Sequence, residues 1–349
     1  MRRLPIFLLV DVSESMVGEN LRQMQEGLER LVRSLRTDPY ALETVFISVI
    51  AFAGKSRTLT PLVELHQFYP PRLPLGSGTS LGGAMEHLMD EMERSVQRST
   101  ADRKGDWRPV AYLLTDGKPT DDIAPAIKRW KRDFEHRSSL VAIGIGQHAS
   151  LSALQRLTDN VLSLDASTEE DFRRFIDWIS QSVASQSRSV SMNQESRISL
   201  AKVDPAIMAK IDDIAHATTI DEDFVILAGK CQTTRLPYLM KFERMAQQFT
   251  ASDWTVSADR YILVGVHAAE KDYYELSDAR AMLRTVNTDA LVGAPACPHC
   301  ANRFGLALCS CGQIFCVSGP GDATCPGCNS TVTLSDSDGE GFDVTRARG

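Results

Sequence analysis

The sequence predicts an α/β protein, with a central and mostly parallel sheet in its first half and a smaller α+β region that ends in a cysteine-rich segment. Three observations support this prediction. Apolar, strand-like segments alternate with amphipathic helices over residues 1–184. Residues 185–202 are polar and rich in serine, as is typical of a linker. Seven of the eight cysteines lie within residues 297–328, a density that indicates metal binding.

The elements of the first domain follow one another regularly along the chain. The apolar segments predicted as strands are residues 5–11, 44–53, 60–66, 109–115, 139–145 and 161–164. The amphipathic segments predicted as helices are residues 18–36, 81–97, 122–136, 151–158 and 169–184. Strands that alternate with helices in this way form a parallel sheet covered on both faces. Ligands of such sheets bind beyond the carboxyl ends of the strands.

The second half is predicted to contain three smaller segments: an α+β module over residues 203–290, a zinc-binding, zinc-ribbon-like module over 291–334, and an acidic tail over 335–349. The acidic residues of the tail are predicted to be disordered, whereas residues 342–348 after them could dock on the protein. In the α+β module, residues 204–217 and 275–286 are predicted helices. The predicted strands of that module are residues 224–228, 238–242 and 261–266.

Composition and charge exclude several classes of protein. At 349 residues and 43% hydrophobic composition the chain can build real cores, so wholesale disorder is excluded. A net charge of −7 argues against general binding to nucleic acid or to anionic membranes. The one dense basic cluster, residues 128–132, is interpreted as the solvated face of a helix. The apolar stretch near the start is too short to span a membrane. Cysteines that crowd into one segment of a long chain favour metal thiolates in a reducing cytoplasm over a disulfide framework of a small secreted domain.

Oxygen-bearing side chains follow the predicted strands in a pattern typical of a site for a hard cation. Asp11, Ser13 and Ser15 leave the first strand at alternate positions, Thr79 lies on a glycine-rich loop, and Asp116 ends the fourth strand. Mg²⁺ prefers about six oxygen ligands in octahedral geometry. In an alternative interpretation, these side chains only cap helices that begin near residues 17, 81 and 122.

This order of Asp-x-Ser-x-Ser, Thr and Asp resembles the metal-ion-dependent adhesion site of von Willebrand factor A domains, and the resemblance covers roughly residues 4–184. The resemblance implies a Rossmann-like fold and a Mg²⁺ or Mn²⁺ ion held by Asp11, Ser13, Ser15, Thr79 and Asp116. It also implies that ligands bind by completing the coordination of this ion with an acidic residue.

The cysteines form two C-x-x-C knuckles with further cysteines between them. Four thiolates from Cys297, Cys300, Cys325 and Cys328 are predicted to hold one structural zinc ion. A second zinc ion is predicted at Cys309, Cys311 and Cys316, completed by Cys231 or by His299. The alternative is that Cys316 and Cys231 are small buried hydrophobic residues, so that one zinc ion is bound.

With the segments Leu227–Cys231 and Pro237–Leu239, the whole pattern resembles the TerY family of bacterial tellurite-resistance and stress-response systems. That resemblance implies a regulatory or scaffolding partner of a phosphorylation system, with a Ser/Thr kinase and a metal-dependent protein phosphatase as candidate partners. Neither composition nor residue spacing indicates this association.

The sequence favours a non-catalytic adaptor over an enzyme. It contains no recognisable nucleophile with its base, no complete phosphate-binding loop and no dinucleotide fingerprint. Two alternatives are a metal-dependent hydrolase, because a Mg²⁺ site with open positions can activate water, and a zinc-ribbon adaptor of a nucleic-acid-processing complex.

Overall fold

The structure is a computed structural model, and it describes residues 2–100, 102, 104–116, 119–145, 151–164, 169–191, 208–210, 224–251, 254–277, 285–334 and 341–347. The chain divides into two compact units. The first comprises Met1–Val12, Glu19–Leu73 and Thr79–Ile220, and the second comprises Ser13–Gly18, Pro74–Gly78 and Asp221–Gly349. Among the described helices, none combines the length and the apolar character needed to cross a membrane.

The first unit is built on a seven-stranded sheet with the strand order β3-β2-β1-β4-β5-β6-β7. Its strands are β1 (Leu4–Asp11), β2 (Val45–Phe52), β3 (Ser56–Glu64), β4 (Val110–Thr115), β5 (Ser139–Ile145), β6 (Val161–Leu164) and β7 (Met208–Lys210). The two edge strands, β3 and β7, are antiparallel to their neighbours, and the strands between them are parallel. The predicted α/β class and the mostly parallel sheet are confirmed.

The helices of the first unit are α1 (Glu19–Leu35), α2 (Pro39–Thr44), α3 (Leu81–Ser95), α4 (Ala124–Asp133), α5 (Leu151–Gln155) and α6 (Glu169–Ser191). All eight residues of β1 are buried, as expected for a parallel strand covered on both faces. Helices α3 and α4 contribute Met85, Leu88 and Trp130 to a hydrophobic cluster that also contains Phe7 of β1. This core fixes β1 and β4 side by side.

Two predictions for the middle of the chain are wrong where the structure describes it. The predicted linker over residues 185–202 begins inside α6, which continues to Ser191, and residues 192–202 lie outside the described residues. The predicted helix over 204–217 is contradicted at Met208–Lys210, which pair with β6 as an edge strand. Three residues beside an existing sheet gain their hydrogen bonds from that sheet, and this tertiary pairing overrides local propensity.

The basic cluster of residues 128–132 is a solvated helix face, as predicted. Within α4 the side chains of Lys128, Lys131 and Arg132 are exposed, whereas Trp130 between them is buried. Arg129 pairs with Glu86 at 2.5 Å and with Asp90 at 2.8 Å. The positive charges of this helix are therefore partly neutralised by carboxylates.

The second unit contains a six-stranded sheet with the order β12-β10-β9-β8-β14-β13 and two small two-stranded sheets, β11-β17 and β15-β16. Its strands are β8 (Phe224–Lys230), β9 (Pro237–Ala251), β10 (Trp254–Ala268), β11 (Thr285–Asn287), β12 (Leu291–Val292), β13 (Phe304–Leu308), β14 (Ile314–Val317), β15 (Gly321–Thr324), β16 (Thr331–Leu334) and β17 (Asp343–Thr345). One short helix, α7 (Tyr273–Leu276), follows β10.

The predicted division at residue 290 does not match this arrangement. Strand β8 of the predicted α+β module pairs with β14 of the predicted zinc module, so the two segments share one sheet. The predicted helix over 275–286 ends at Leu276, and residues 285–287 form a strand; residues 278–284 lie outside the described residues.

The predicted disordered tail is ordered in part. Asp343–Thr345 pair with β11, Val344 is 1% exposed, and the backbone N–H of Ala347 donates to the carbonyl of Ile226 at 2.7 Å. The acidic residues at 335–340 lie outside the described residues. Residues 343–347 are ordered because Val344 is buried and the backbone has hydrogen-bond partners, whereas acidic segments with few apolar groups generally stay disordered.

Candidate metal centres

Three of the predicted Mg²⁺ ligands lie in the first unit. Asp11 is the last residue of β1, and Asp116 directly follows β4. The two strands are neighbours, and Val10 pairs with Leu114, so both carboxylates leave the sheet at the same edge. Thr79 lies just before α3, where the backbone N–H of Ser80 donates to Ala53 at the end of β2 at 2.7 Å.

These side chains are withdrawn from solvent. Asp11 is fully buried, Thr79 is 2% exposed, and the Oδ1 atom of the half-buried Asp116 is buried. The hydroxyl of Thr115 donates to Oδ2 of Asp11 at 2.5 Å, which orients that carboxylate. Burial of carboxylates is costly unless hydrogen bonds or a cation compensate it. The donor set in this unit, two carboxylates and a hydroxyl, is therefore suited to a hard divalent cation.

Ser13 and Ser15 belong to the second unit and lie side by side there. Their Oγ atoms are 3.0 Å apart, and Ser13 is fully buried. In an octahedral Mg²⁺ site with ligands at about 2.1 Å, adjacent ligand oxygens are about 3.0 Å apart. The serine pair thus already has the separation that two neighbouring ligands require. The ion shared by all five residues remains a prediction.

The capping interpretation does not account for these side chains. Ser13 precedes a short 3₁₀ helix, Glu14–Met16, but its hydroxyl makes no capping hydrogen bond. Helix α3 begins after Ser80 rather than at Thr79, and α4 begins at Ala124, eight residues beyond Asp116. The capping contact before α4 is made by Asp122, whose carboxylate accepts from the backbone N–H of Ala124 at 2.9 Å.

Hydrogen bonds among residues that the sequence analysis did not single out fix the Thr79 loop. The backbone N–H of Thr79 donates to the hydroxyl of Thr120 at 3.0 Å, and the N–H of Thr120 donates to the carbonyl of Thr79 at 2.8 Å. The Asp121 carboxylate accepts from Ser80 Oγ at 2.7 Å and from the N–H groups of Gly82 and Gly83. The segment after Asp116 therefore holds Thr79 in place. The Thr-Asp pair at residues 120–121, shortly after Asp116, is the sequence feature that could have indicated this contact.

The eight cysteines form two separate clusters in the second unit. One cluster contains Cys231, Cys297, Cys300 and Cys316, and the other contains Cys309, Cys311, Cys325 and Cys328. Within each cluster all four sulfur atoms lie within 4.8 Å of one another. All eight cysteines are free thiols.

The sulfur spacings fit tetrahedral zinc. The Sγ atoms are 3.6 Å apart for Cys300 and Cys316, 3.6 Å for Cys309 and Cys328, and 3.8 Å for Cys311 and Cys325. A tetrahedron with Zn–S bonds of about 2.3 Å has edges of about 3.8 Å. Four sulfur ligands close the shell, so each cluster has the form of a structural site.

The predicted grouping of ligands is wrong. The two knuckles do not share a site: Cys297 and Cys300 join Cys231 and Cys316, whereas Cys325 and Cys328 join Cys309 and Cys311. His299 is in neither cluster, and its Nε2 lies 2.8 Å from the carbonyl oxygen of Pro237.

The alternation of side chains along β14 explains the observed grouping. Successive residues of a strand point to opposite faces. Ile314 and Cys316 pack in the hydrophobic cluster that contains Cys231, while Phe315 and Val317 pack with Cys309 in another. The pairing of Phe315 with Lys230 also places Cys316 beside Cys231, the next residue after β8. The two clusters therefore lie on opposite faces of β14.

Three cysteines begin turns of the same form. The residue four positions after Cys231, Cys297 and Cys325 has a positive φ, near 60°, and its N–H donates to the cysteine carbonyl; these residues are Arg235, Ala301 and Asn329. Thr234 stands where the other two turns have their second cysteine. Cys231 thus begins a knuckle-type turn that supplies one sulfur atom and lacks the second cysteine of a C-x-x-C pair.

Each cluster contains one thiol that ionises readily. Burial disfavours the Cys231 thiolate, but hydrogen bonds from Thr234 and the backbone at Thr233 outweigh it and lower the pKa of this thiol to about 6. Hydrogen bonds from the side chain and backbone of Ser330 lower the pKa of Cys328 to about 6. Burial raises the pKa of Cys297 and of Cys316 in the first cluster, so a metal that binds the thiolate forms would displace protons from them.

The observed grouping predicts a distinctive zinc content for serine variants. Cys297→Ser or Cys325→Ser alone is expected to lose one of about two zinc ions, and the double variant is expected to lose both, because each substitution opens a different four-ligand site. Elemental analysis of purified protein measures this. If the double variant retains as much zinc as either single variant, the two knuckles share a site and the grouping described above is incorrect.

Comparison with known protein families agrees with this geometry. A model of the von Willebrand factor type A domain matches residues 6–181, just over half of the 349-residue chain. The chain belongs to the von Willebrand factor type A family. A second model, the TerY-C metal binding domain, matches residues 221–349. The predicted TerY-like combination of a VWA domain with a C-terminal cysteine-rich metal-binding domain is confirmed.

Two relatives each match less than half of this chain. The bovine inter-alpha-trypsin inhibitor heavy chain H1 is 23% identical over 155 residues, which is 43% of this chain and 17% of the bovine protein. A von Willebrand factor A domain-containing protein of Dictyostelium discoideum is 26% identical over 161 residues, or 44% of this chain and 7% of that protein. This chain spans less than a fifth of the length of either relative.

Solved structures match parts of this chain with low TM-scores. Proximal thread matrix protein 1 from the mussel byssus is 20% identical, with a TM-score of 0.40, and the match covers 52% of this chain and 48% of that chain. The ArnB paralog VWA2 from Sulfolobus acidocaldarius is 14% identical, with a TM-score of 0.36, over 77% of this chain and 66% of that chain.

Proposed function

We propose that this protein is a cytoplasmic, non-catalytic adaptor that binds a partner protein through a divalent cation at the carboxyl edge of the VWA sheet. The observation that carries the proposal is the placement of Asp11 and Asp116 at the ends of two neighbouring parallel strands, β1 and β4. Asp11, Ser13, Ser15, Thr79 and Asp116 would hold Mg²⁺ or Mn²⁺.

The charge of the donor set supports binding of an acidic partner residue. Five protein oxygens leave at least one position of an octahedral shell for another ligand. Only two of the five donors are carboxylates, so a further anionic oxygen can be accommodated. When bound, the cation would supply that position to a carboxylate of the partner. The side chains of this protein would then orient the cation and limit the approach of water.

The cysteine clusters would have a structural role. Two closed shells of four thiolates have no open position for a substrate, so zinc there would stabilise the second unit rather than catalyse a reaction. Thiolate ligation of this kind requires a reducing compartment, which supports a cytoplasmic location.

The resemblance to TerY proteins supports a regulatory role in a bacterial stress response of the tellurite-resistance type. In that setting a Ser/Thr kinase or a metal-dependent protein phosphatase is the proposed partner. The proposal requires only a protein that offers an accessible Asp or Glu to the cation.

Affinity capture from a native bacterial lysate in Mg²⁺ tests the proposal. The full-length protein and the variant Asp11→Asn are compared, with Asp133→Asn as the control, because Asp133 is a surface residue paired with Arg132. A partner retained by the wild type and by Asp133→Asn, and lost from Asp11→Asn, is expected. Equal retention by all three proteins contradicts binding through the cation.

A further inference from the structure

Within the second unit, the segment that carries Ser13 and Ser15 is attached through the residue between them. Glu14 is fully buried, and its carboxylate accepts hydrogen bonds from the hydroxyl of Tyr273 and, at 3.1 Å, from the hydroxyl of Ser77. Tyr273 is itself only 4% exposed. A buried carboxylate requires such donors, because its desolvation is otherwise uncompensated.

The carbonyl groups of the same segment are held by a second residue. Lys241, in the middle of β9, donates from Nζ to the carbonyl of Ser15 at 3.0 Å and to that of Val17 at 3.4 Å. The ammonium group also lies 4.6 Å from the centre of the Phe224 ring, which helps to fix its position. Hydrogen bonds from a charged donor are roughly twice as strong as neutral ones.

The short helix that contains Tyr273 also holds the segment before Thr79. The hydroxyl of Ser277 accepts from the backbone N–H of Ser77 at 2.9 Å and donates to the carbonyl of Tyr273 at 2.5 Å. Ser77 thus contacts Glu14 through its side chain and Ser277 through its backbone. Residues 273–277 therefore contact one segment that contains the predicted serine ligands and another that contains Ser77, two residues before Thr79.

We infer that Tyr273 and Lys241 are positioning residues for Ser13 and Ser15, the two predicted Mg²⁺ ligands of the second unit, and that they thereby influence the affinity for the cation. The inference rests on the proposed function, because it concerns the same cation. Glu14 lies between Ser13 and Ser15, so a shift of its backbone moves both hydroxyls. Neither Tyr273 nor Lys241 is assigned as a ligand.

The prediction is that Tyr273→Phe weakens Mn²⁺ binding about tenfold. The substitution removes a buried hydrogen bond to the Glu14 carboxylate, and a tenfold change in affinity corresponds to about 1.4 kcal/mol, close to the contribution of one such bond. The measurement is calorimetric titration of the zinc-loaded, full-length protein with Mn²⁺. Tyr274→Phe is the matched control, because Tyr274 is the adjacent residue and is 50% exposed. It is expected to bind Mn²⁺ as the wild type does.

Lys241 supplies an independent variant in case Tyr273→Phe does not fold. Lys241→Met keeps the aliphatic stem and removes the donors, so Mn²⁺ affinity is expected to fall; Lys241→Arg restores donors and is expected to recover part of it. Zinc content and the thermal unfolding midpoint are measured in parallel. A purely structural role would lower the unfolding midpoint and leave Mn²⁺ affinity unchanged.

The Mn²⁺ affinities of these variants and of Asp11→Asn distinguish a failure of this inference from a failure of the proposed function. Wild-type Mn²⁺ affinity in both Tyr273→Phe and Lys241→Met overturns the positioning role, even if Asp11→Asn abolishes binding. If the wild type does not bind Mn²⁺, or Asp11→Asn binds it equally well, the proposed cation site itself is incorrect. Weakened binding in both variants with unchanged zinc content supports the inference.

Discussion

Removal of zinc is expected to unfold the second unit while the sheet of the first unit stays folded. Structural zinc contributes on the order of 10 to 16 kcal/mol of apparent binding free energy, about as much as the entire stability of a typical domain. The cysteines are also part of the cores: Cys231, Cys297 and Cys316 pack in one hydrophobic cluster, and Cys309 and Cys325 pack in another. Without the cation, nothing would join the four sulfur atoms of each cluster, and the segments that carry them would separate.

Hydrogen exchange of the full-length protein, with and without a zinc-selective chelator, measures this effect. Magnesium is kept in excess so that only zinc is removed. Amides of β8, β13 and β14 are expected to lose their protection, whereas those of β1, β4 and β5 are expected to keep it. The internal strands of the first unit provide the control. Equal protection of β14 with and without zinc would show that the second unit does not depend on the cysteine clusters.

The second large effect is expected from Asp11→Asn, which should abolish measurable Mg²⁺ and Mn²⁺ binding. Loss of a residue that supports a ligand typically costs about 10 to 100-fold in metal affinity, and loss of a charged ligand costs more. The amide is close in volume to the carboxylate and can still accept the hydrogen bond from Thr115. Because Asp11 is fully buried, removal of its charge also relieves desolvation, so the fold should be retained.

Calorimetric titration of the zinc-loaded protein measures this prediction, and far-UV circular dichroism reports on the fold. Asp133→Asn serves as the matched control, because it removes the same charge from an exposed ion pair. Unchanged affinity in Asp11→Asn would exclude Asp11 as a ligand. Weakened binding in both variants would instead indicate a non-specific effect of net charge.

The first unit could be predicted from sequence because its signals are local. Each predicted strand over residues 1–164 overlaps an observed strand, since alternating apolar strands and amphipathic helices report directly on burial. The strand-end positions of Asp11 and Asp116 followed from the same pattern. The strand at Met208–Lys210 could not be predicted, because only the presence of β6 beside it makes the extended conformation favourable.

The cysteine ligands show where local reasoning fails. Two C-x-x-C knuckles indicate zinc, but not which cysteines share an ion. That choice depends on the opposite orientation of Phe315 and Cys316 in β14 and on the pairing of β14 with β8, a strand more than 80 residues earlier. The role inferred for Tyr273 was equally inaccessible, because it is 259 residues from Glu14. Contacts at such separations leave no periodic signal in the sequence.

The most direct test of the adaptor mechanism is retention of the captured partner as a function of free Mg²⁺ concentration, at constant ionic strength and with zinc saturating. If the cation joins the two proteins, retention by the wild type should rise with occupancy of the site by Mg²⁺, and Asp11→Asn should retain no partner at any concentration. Tyr273→Phe should shift the curve to higher Mg²⁺. Retention that is independent of Mg²⁺, or equal for the wild type and Asp11→Asn, would contradict binding through the cation.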